Sequence, residues 1–171
     1  MKTLYLLRHA HAIEGAGIPD IDRPLSAQGQ AEAQSLAAYV KNAGIAFDFV
    51  MCSGALRTQE TFEPLRSLLR TQEIEIASDF YGLSEEGILE VVQGIPETAT
   101  CALYIGHNPG VAFSMFRLSQ TFPAALEEGV APATCMGLQF PCERWADIRW
   151  GMGQMVTLFQ PGQVPPAPKG S

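Results

Sequence analysis

Two histidines in this chain stand directly after short apolar runs. His9 follows Leu4-Tyr5-Leu6-Leu7-Arg8, and His107 follows Cys101-Ala102-Leu103-Tyr104-Ile105-Gly106. Runs of this length with polar flanks read as buried strands, so both histidines sit at strand ends. A strand core has no use for Arg or His at its terminus, where each must be paired or desolvated. A neutral imidazole on so rigid a mount is a candidate nucleophile. Arg8, Arg23 and Arg57 offer planar forks of donors that match the oxygens of a phosphoryl group. His107 comes just before Pro109, which suits the first turn of a helix, and backbone donors at a helix N-terminus favour an anion. Residues of these types point to a dianion that is transferred as well as held. Ser53 and Asn108 are candidate contacts for it, against plainer roles as a turn residue and a helix cap.

The elements that must position these residues follow from periodicity. Residues 3–8 read as the first strand. Ser26 is the expected N-cap of a helix to about Ala43, with Ala33, Leu36, Ala37 and Val40 on one face and Gly44 closing it. Phe47–Cys52 reads as a second buried strand, and a helix from about Ala55 is disturbed by Pro64. Glu73–Ala77 alternates as an edge strand would. Ser84 caps a helix over Glu85–Gln93. After the strand at Cys101–Ile105 comes a helix over Gly110–Ser119, then a loop or short helices over 120–133. Thr134–Phe140 and Met155–Phe159 close the series as strands. Strands alternating with helices predict an α/β fold, a three-layer α/β/α sandwich around a mostly parallel sheet. In such sheets ligands collect at the carboxyl ends of the strands. The chain puts polar residues at three of those ends: Arg8-His9, Ser53 with Arg57 beyond it, and His107-Asn108.

Composition narrows the remaining options. A chain of 171 residues with 47% hydrophobic and 17% charged residues is globular, and one domain over 1–160 accounts for it. The tail over 161–171, with Pro165-Pro166-Ala167-Pro168, is expected to be disordered. A net charge of −7 disfavours nucleic acid and anionic membranes as partners, yet leaves room for one small cationic pocket. Cys52, Cys101, Cys135 and Cys142 form no CxxC pair, so neither a zinc knuckle nor a redox dithiol is indicated. The apolar run at the N-terminus is too short for a signal-peptide core, no stretch approaches a membrane span, and free thiols in the cytoplasm are the expectation.

Four segments also carry a resemblance. Leu7-Arg8-His9-Ala10, Arg23-Pro24-Leu25-Ser26-Ala27-Gln28-Gly29, Ser53 to Thr61, and Gly106-His107-Asn108-Pro109 resemble, in order, the four boxes of the histidine phosphatase superfamily, whose fold is phosphoglycerate mutase-like. The likeness covers roughly residues 3–160. The short length, and Arg23 only 14 residues after His9, look most like the SixA-type phosphohistidine phosphatase branch. Ala10, Gly54 and Glu60 depart from the usual Gly, Pro and Gln. The acid that larger members use to protonate an alcohol leaving group has no counterpart in Phe80-Tyr81-Gly82-Leu83-Ser84-Glu85-Glu86, where Glu85 and Glu86 open a helix.

The resemblance implies a phosphatase with His9 as nucleophile and Arg8, Arg57 and His107 around the phosphoryl oxygens. Arg23, Asn108 and Ser53 are expected as substrate contacts. An alkoxide needs a general acid in order to leave, whereas imidazole does not, so phosphohistidine in a protein is the expected substrate. A small phosphomonoester is the alternative within the fold, and a non-catalytic phosphate-binding module the alternative outside catalysis. The arginines supply positive charge, so neither metal nor cofactor is expected. His11 is expected at the pocket mouth or in solvent, with a metal pair between His9 and His11 as the minor alternative.

Overall fold

A computed structural model describes residues 1–162; the expected disordered tail falls almost wholly outside the described residues. Six strands form one sheet: β1 (Lys2–Arg8), β2 (Phe49–Ser53), β3 (Ile74–Ala77), β4 (Cys101–Gly106), β5 (Cys135–Phe140) and β6 (Gln154–Phe159). Their spatial order is β3-β2-β4-β1-β5-β6. The first four run parallel, while at one side β5 pairs antiparallel with both β1 and β6. The sheet is therefore mixed, mostly parallel in its site-bearing half.

The helices are α1 (Ala27–Asn42), α2 (Leu56–Phe62), α3 (Glu85–Gln93) and α4 (Gly110–Leu118). Strand alternation sorts the core into two layers. Tyr5, Leu7, Val50, Cys52, Leu103 and Ile105 pack with Leu36 and Val40 of α1 and Phe62 of α2. Leu4, Leu6, Met51, Ala102 and Tyr104 pack with Ile88 and Val92 of α3 and Val111 and Met115 of α4. A strand covered on both faces must be apolar at odd and even positions alike, which is why these runs show no polar alternation. Each large side chain removed from water here contributes roughly 1.5–3 kcal/mol.

Local signals set the helix ends. The Ser26 hydroxyl accepts from the Gly29 amide at 3.0 Å, and Ser84 from the Gly87 amide at 3.3 Å. Pro64 ends the regular part of α2, and the chain continues over Glu63–Leu68 as a 3-10 segment. Phe47 lies outside the second strand and makes only a single bridge to Leu69. Two glycines permit close approach near the site. A Cβ on Gly29 would lie 1.9 Å from the His11 carbonyl oxygen, and one on Gly110 would lie 2.1 Å from that of Leu83. Any side chain there would push the start of α1 or α4 off the loop it must touch.

Candidate active site

Strand register brings the two histidines together. β1 and β4 are parallel neighbours in which Leu7 faces Ile105 and Arg8 faces Gly106. The next residues on each strand are therefore side by side. The His9 amide still donates to the Gly106 carbonyl at 3.0 Å, and the two imidazole centroids are 5.2 Å apart. β2 is the other neighbour of β4, so Ser53 at its end reaches across, with Oγ 2.8 Å from His107 Nε2.

His9 is 8% exposed, and its Nδ1 lies 2.7 Å from the carbonyl oxygen of Ala10. A carbonyl can only accept, so Nδ1 carries the proton and Nε2 keeps a free lone pair. Burial pushes the imidazole down to about 3, opposed by the Ala10 bond and helped by His107, Arg57 and Arg8. The ring is thus neutral at ordinary pH. The backbone beyond is fixed as well: the Ala10 amide donates to Thr61 Oγ1 at 3.0 Å, and that hydroxyl donates to the Arg57 carbonyl. The alanine that replaces the usual glycine is fully buried with Leu25, Ala33 and Ala133.

His107 is also neutral, pushed down to about 4 by burial and then by Arg57. Ser53 Oγ accepts from the Ala55 amide at 3.3 Å, which leaves its own proton for His107 Nε2. That network assigns the imidazole proton to Nδ1, which is buried without a partner.

Two arginines lie close to these rings. Arg57 is 5% exposed, and its terminal nitrogens are both held by Asp20, Nη1 by the backbone carbonyl at 2.6 Å and Nη2 by the carboxylate at 3.0 Å. Arg8 Nη1 donates to the Val130 carbonyl at 2.7 Å, and burial lowers the proton affinity of its guanidinium. Arg8 Nε and Arg57 Nε are both buried without a partner. Buried charged donors seldom go unpaired, since each costs about 1–3 kcal/mol. Two such donors and one imidazole N–H, on residues close enough to disfavour protonation of the His9 ring, make an arrangement that suits an anion.

The remaining expected residues lie around this centre. Arg23 turns its Nε to Asp20 at 3.0 Å and its Nη1 to the Ile13 carbonyl at 2.8 Å, so it braces the mouth. Asn108 does not cap α4; its amide donates to the Val130 carbonyl that Arg8 also uses, and its Oδ1 is buried and unpaired. His11 is half-buried and its ring bonds Ser26 Oγ at 2.7 Å, at the start of α1. No group of three or more His, Cys, Asp or Glu that could hold a metal occurs among the described residues. Glu60, in place of the usual glutamine, accepts the Leu25 amide at 2.7 Å and anchors the second box.

Sequence reasoning missed Asp20 and Tyr81. The Tyr81 hydroxyl donates to Asp20 Oδ2, its ring meets His107 edge-on at 5.3 Å, and the Arg57 guanidinium lies 5.9 Å from its centre. Tyr81, followed by Arg57 and Arg23, holds the Asp20 carboxyl well below the usual carboxylate range. The spacing of Asp20 to Arg23 was the available signal, and it was legible only as a surface pair.

Residues 4–84 match the family model of the histidine phosphatase superfamily (branch 1). Over that stretch the chain is similar to that superfamily. The likeness of solved structures extends over the second half, where His107 lies. A candidate phosphohistidine phosphatase SixA from Nakamurella multipartitia is 25% identical and superposes with a TM-score of 0.80, covering 95% of this chain and 97% of that one. A second such candidate, from Agrobacterium tumefaciens, is 25% identical with a TM-score of 0.79, over 94% of this chain and 98% of its own. An uncharacterized protein of Mycobacterium tuberculosis is 27% identical over 161 residues, 91% of this chain and 99% of that one. The chain thus shares its fold, from β1 to β6, with SixA-type structures.

Proposed function

We propose that this protein is a phosphatase of the histidine phosphatase superfamily that works through a covalent phospho-His9 intermediate and acts on phosphohistidine in a protein. The observation that carries the reading is the His9 tautomer: with Nδ1–H on the Ala10 carbonyl, the lone pair of Nε2 is free, and Arg8, Arg57 and His107, which act on that ring, each keep an unpaired donor. In the first step His9 Nε2 attacks phosphorus and the bond from phosphorus to the leaving nitrogen breaks. The leaving imidazole takes a proton from water as it departs. Arg8, Arg57 and the Nδ1–H of His107 receive the charge that develops on the phosphoryl oxygens. Water then attacks the same phosphorus, loses a proton to solvent, and returns His9 to its neutral form with release of phosphate.

The choice of substrate rests on the acid chemistry of the mouth. The carboxylate that reaches the arginine cluster is Asp20, and it is held ionised, so it is a poor proton donor. Glu85 and Glu86 open α3 and are tied to Arg117. A leaving group that needs no dedicated acid suits such a site, and imidazole is one. The four cysteines are free thiols, which supports a reducing compartment, and no helix among the described residues is long and apolar enough to cross a membrane.

The test is turnover of a phosphohistidine peptide set against a panel of small phosphomonoesters. Preference for the peptide, with label from the phosphoryl group trapped on His9, is the expected result. Good turnover of small phosphomonoesters with none of the peptide would overturn the substrate assignment. No turnover of either, with tight phosphate binding, would make the chain a binding module.

A further inference from the structure

Asp20 makes contacts unlike those of a surface carboxylate. It opens a 3-10 turn, Asp20–Asp22, in the loop between β1 and α1. Although its side chain is 52% exposed, it engages both arginines and the tyrosine of the mouth: Arg57 Nη2 and the Tyr81 hydroxyl on Oδ2, and Arg23 Nε on Oδ1. Its backbone carbonyl takes Arg57 Nη1 as well. One residue thus occupies both terminal nitrogens of a guanidinium that is itself buried.

A guanidinium has a further donor, Nε–H, on a different edge. In Arg57 that donor is buried and free. Arg8 repeats the pattern, with Nη1 tied to Val130 and Nε free. In both residues the fold grips the far end of the fork and leaves a side edge open. Asp20 also reaches the second histidine, because the Tyr81 ring that it anchors rests against the His107 ring.

We propose that Asp20 is a positioning residue of the phosphoryl site, holding Arg57 by its terminal nitrogens and Tyr81 by its hydroxyl so that the open edge of Arg57 and the ring of His107 meet the phosphoryl group. The proposal rests on the phosphoryl-transfer reading given above. A competing role has the opposite sign: the carboxylate would fill the arginine donors and have to be displaced by phosphate.

Calorimetric binding of tungstate, a phosphate mimic that needs no turnover, separates the two. Asp20→Ala should weaken tungstate binding about tenfold to a hundredfold, the range of one or two charge-assisted hydrogen bonds. Both variants keep the backbone carbonyl, but Asp20→Asn also keeps a neutral side-chain acceptor and should recover part of that loss. Tyr81→Phe should weaken binding about threefold, the size of one peripheral hydrogen bond. A purely structural role would lower the melting temperature of the variants and leave tungstate affinity unchanged in the folded protein. Unchanged or tighter binding in Asp20→Ala overturns the proposal. If that variant fails to fold, unchanged affinity in both Asp20→Asn and Tyr81→Phe overturns it. Weakened binding in a protein whose wild type hydrolyses neither phosphohistidine nor small phosphomonoesters would retain the positioning role and sink the phosphatase reading. Turnover by the wild type with affinity unmoved in the variants would do the reverse.

Discussion

At the amino ends of the strands, Lys2 is buried, yet its ammonium is fully occupied. It donates to the carbonyls of Glu97 and Ala99 at 2.9 Å each, pairs with the Glu97 carboxylate at 3.3 Å, and lies over the Trp145 ring. Nearby, Asp48 Oδ2 accepts the Thr100 amide, the Thr100 hydroxyl and the Cys101 amide, at 3.0, 2.8 and 3.0 Å. At the carboxyl ends the same sheet buries charge differently. Arg8 Nε, Arg57 Nε, His107 Nδ1 and Asn108 Oδ1 are all buried and unpaired. Saturated buried charge ties segments together, because every partner is already present. Unsaturated buried charge costs stability in the free protein and returns it only when a ligand supplies the partners.

The largest effect should come from the unsaturated end. His9→Ala is expected to lower turnover by about 10⁴-fold or more, as loss of a nucleophile does elsewhere. Rapid-quench trapping should find no phosphoenzyme; surviving turnover would remove His9 from its role. Next, Arg57→Met should reduce kcat/KM by about 10²–10³-fold. Its unfolding free energy should hold or rise, since a charge with an unpaired donor leaves the interior. Marked destabilisation in urea titrations would place Arg57 with the saturated, structural class.

Asp48→Ala reverses that pattern. It strands two backbone amides and should cost about 2–4 kcal/mol of stability with kcat nearly unchanged. A smaller effect comes from pH. An unfolded imidazole titrates near 6.5, whereas folded His9 and His107 are pushed down to about 3 and about 4. Below 6.5 the unfolded chain therefore takes up protons that the folded chain refuses, and stability falls as pH drops toward about 4. Each histidine contributes up to about 1.4 kcal/mol per pH unit in that window. Denaturation at pH 7 and pH 5 checks it, and His9→Ala should remove one of the two contributions. The mildest change is Ser53→Ala, which frees His107 Nε2 and should reduce turnover by about three- to tenfold through the tautomer. An unchanged rate would detach Ser53 from the site.

Particular residues show why some of this was legible in the chain and some was not. Ser26 and Ser84 act as the caps that the chain indicates, because capping is local chemistry over three residues. The strand ends bearing Arg8-His9 and His107-Asn108 were readable because an apolar run stops abruptly there. Pro64 marked a disturbance, but only the packed chain shows it turning α2 into a 3-10 segment. The antiparallel pairing of β5 with both of its neighbours leaves no periodic signature in a short run. Asp20 and Tyr81 lie in a loop and just after a turn, with no period at all. Their meeting on Arg57 spans 37 and 24 residues of chain. His11 looked like a possible ligand beside His9, and only the position of α1 gives its ring to Ser26.

By itself, the sequence determined the residue types for phosphoryl chemistry, the strands that end on them and the acidic background around one cationic pocket, since these depend on composition and on local order. The tertiary structure decided which of them meet. Adjacent parallel strands with Arg8 opposite Gly106 set two histidines 98 residues apart against each other. The Ala10 carbonyl then chose which nitrogen of His9 is free, and Asp20 chose which edge of Arg57 stays open. Those choices are matters of distance and direction between remote segments, and hydrogen bonds that fall off within a few tenths of an ångström are fixed only when the segments are packed.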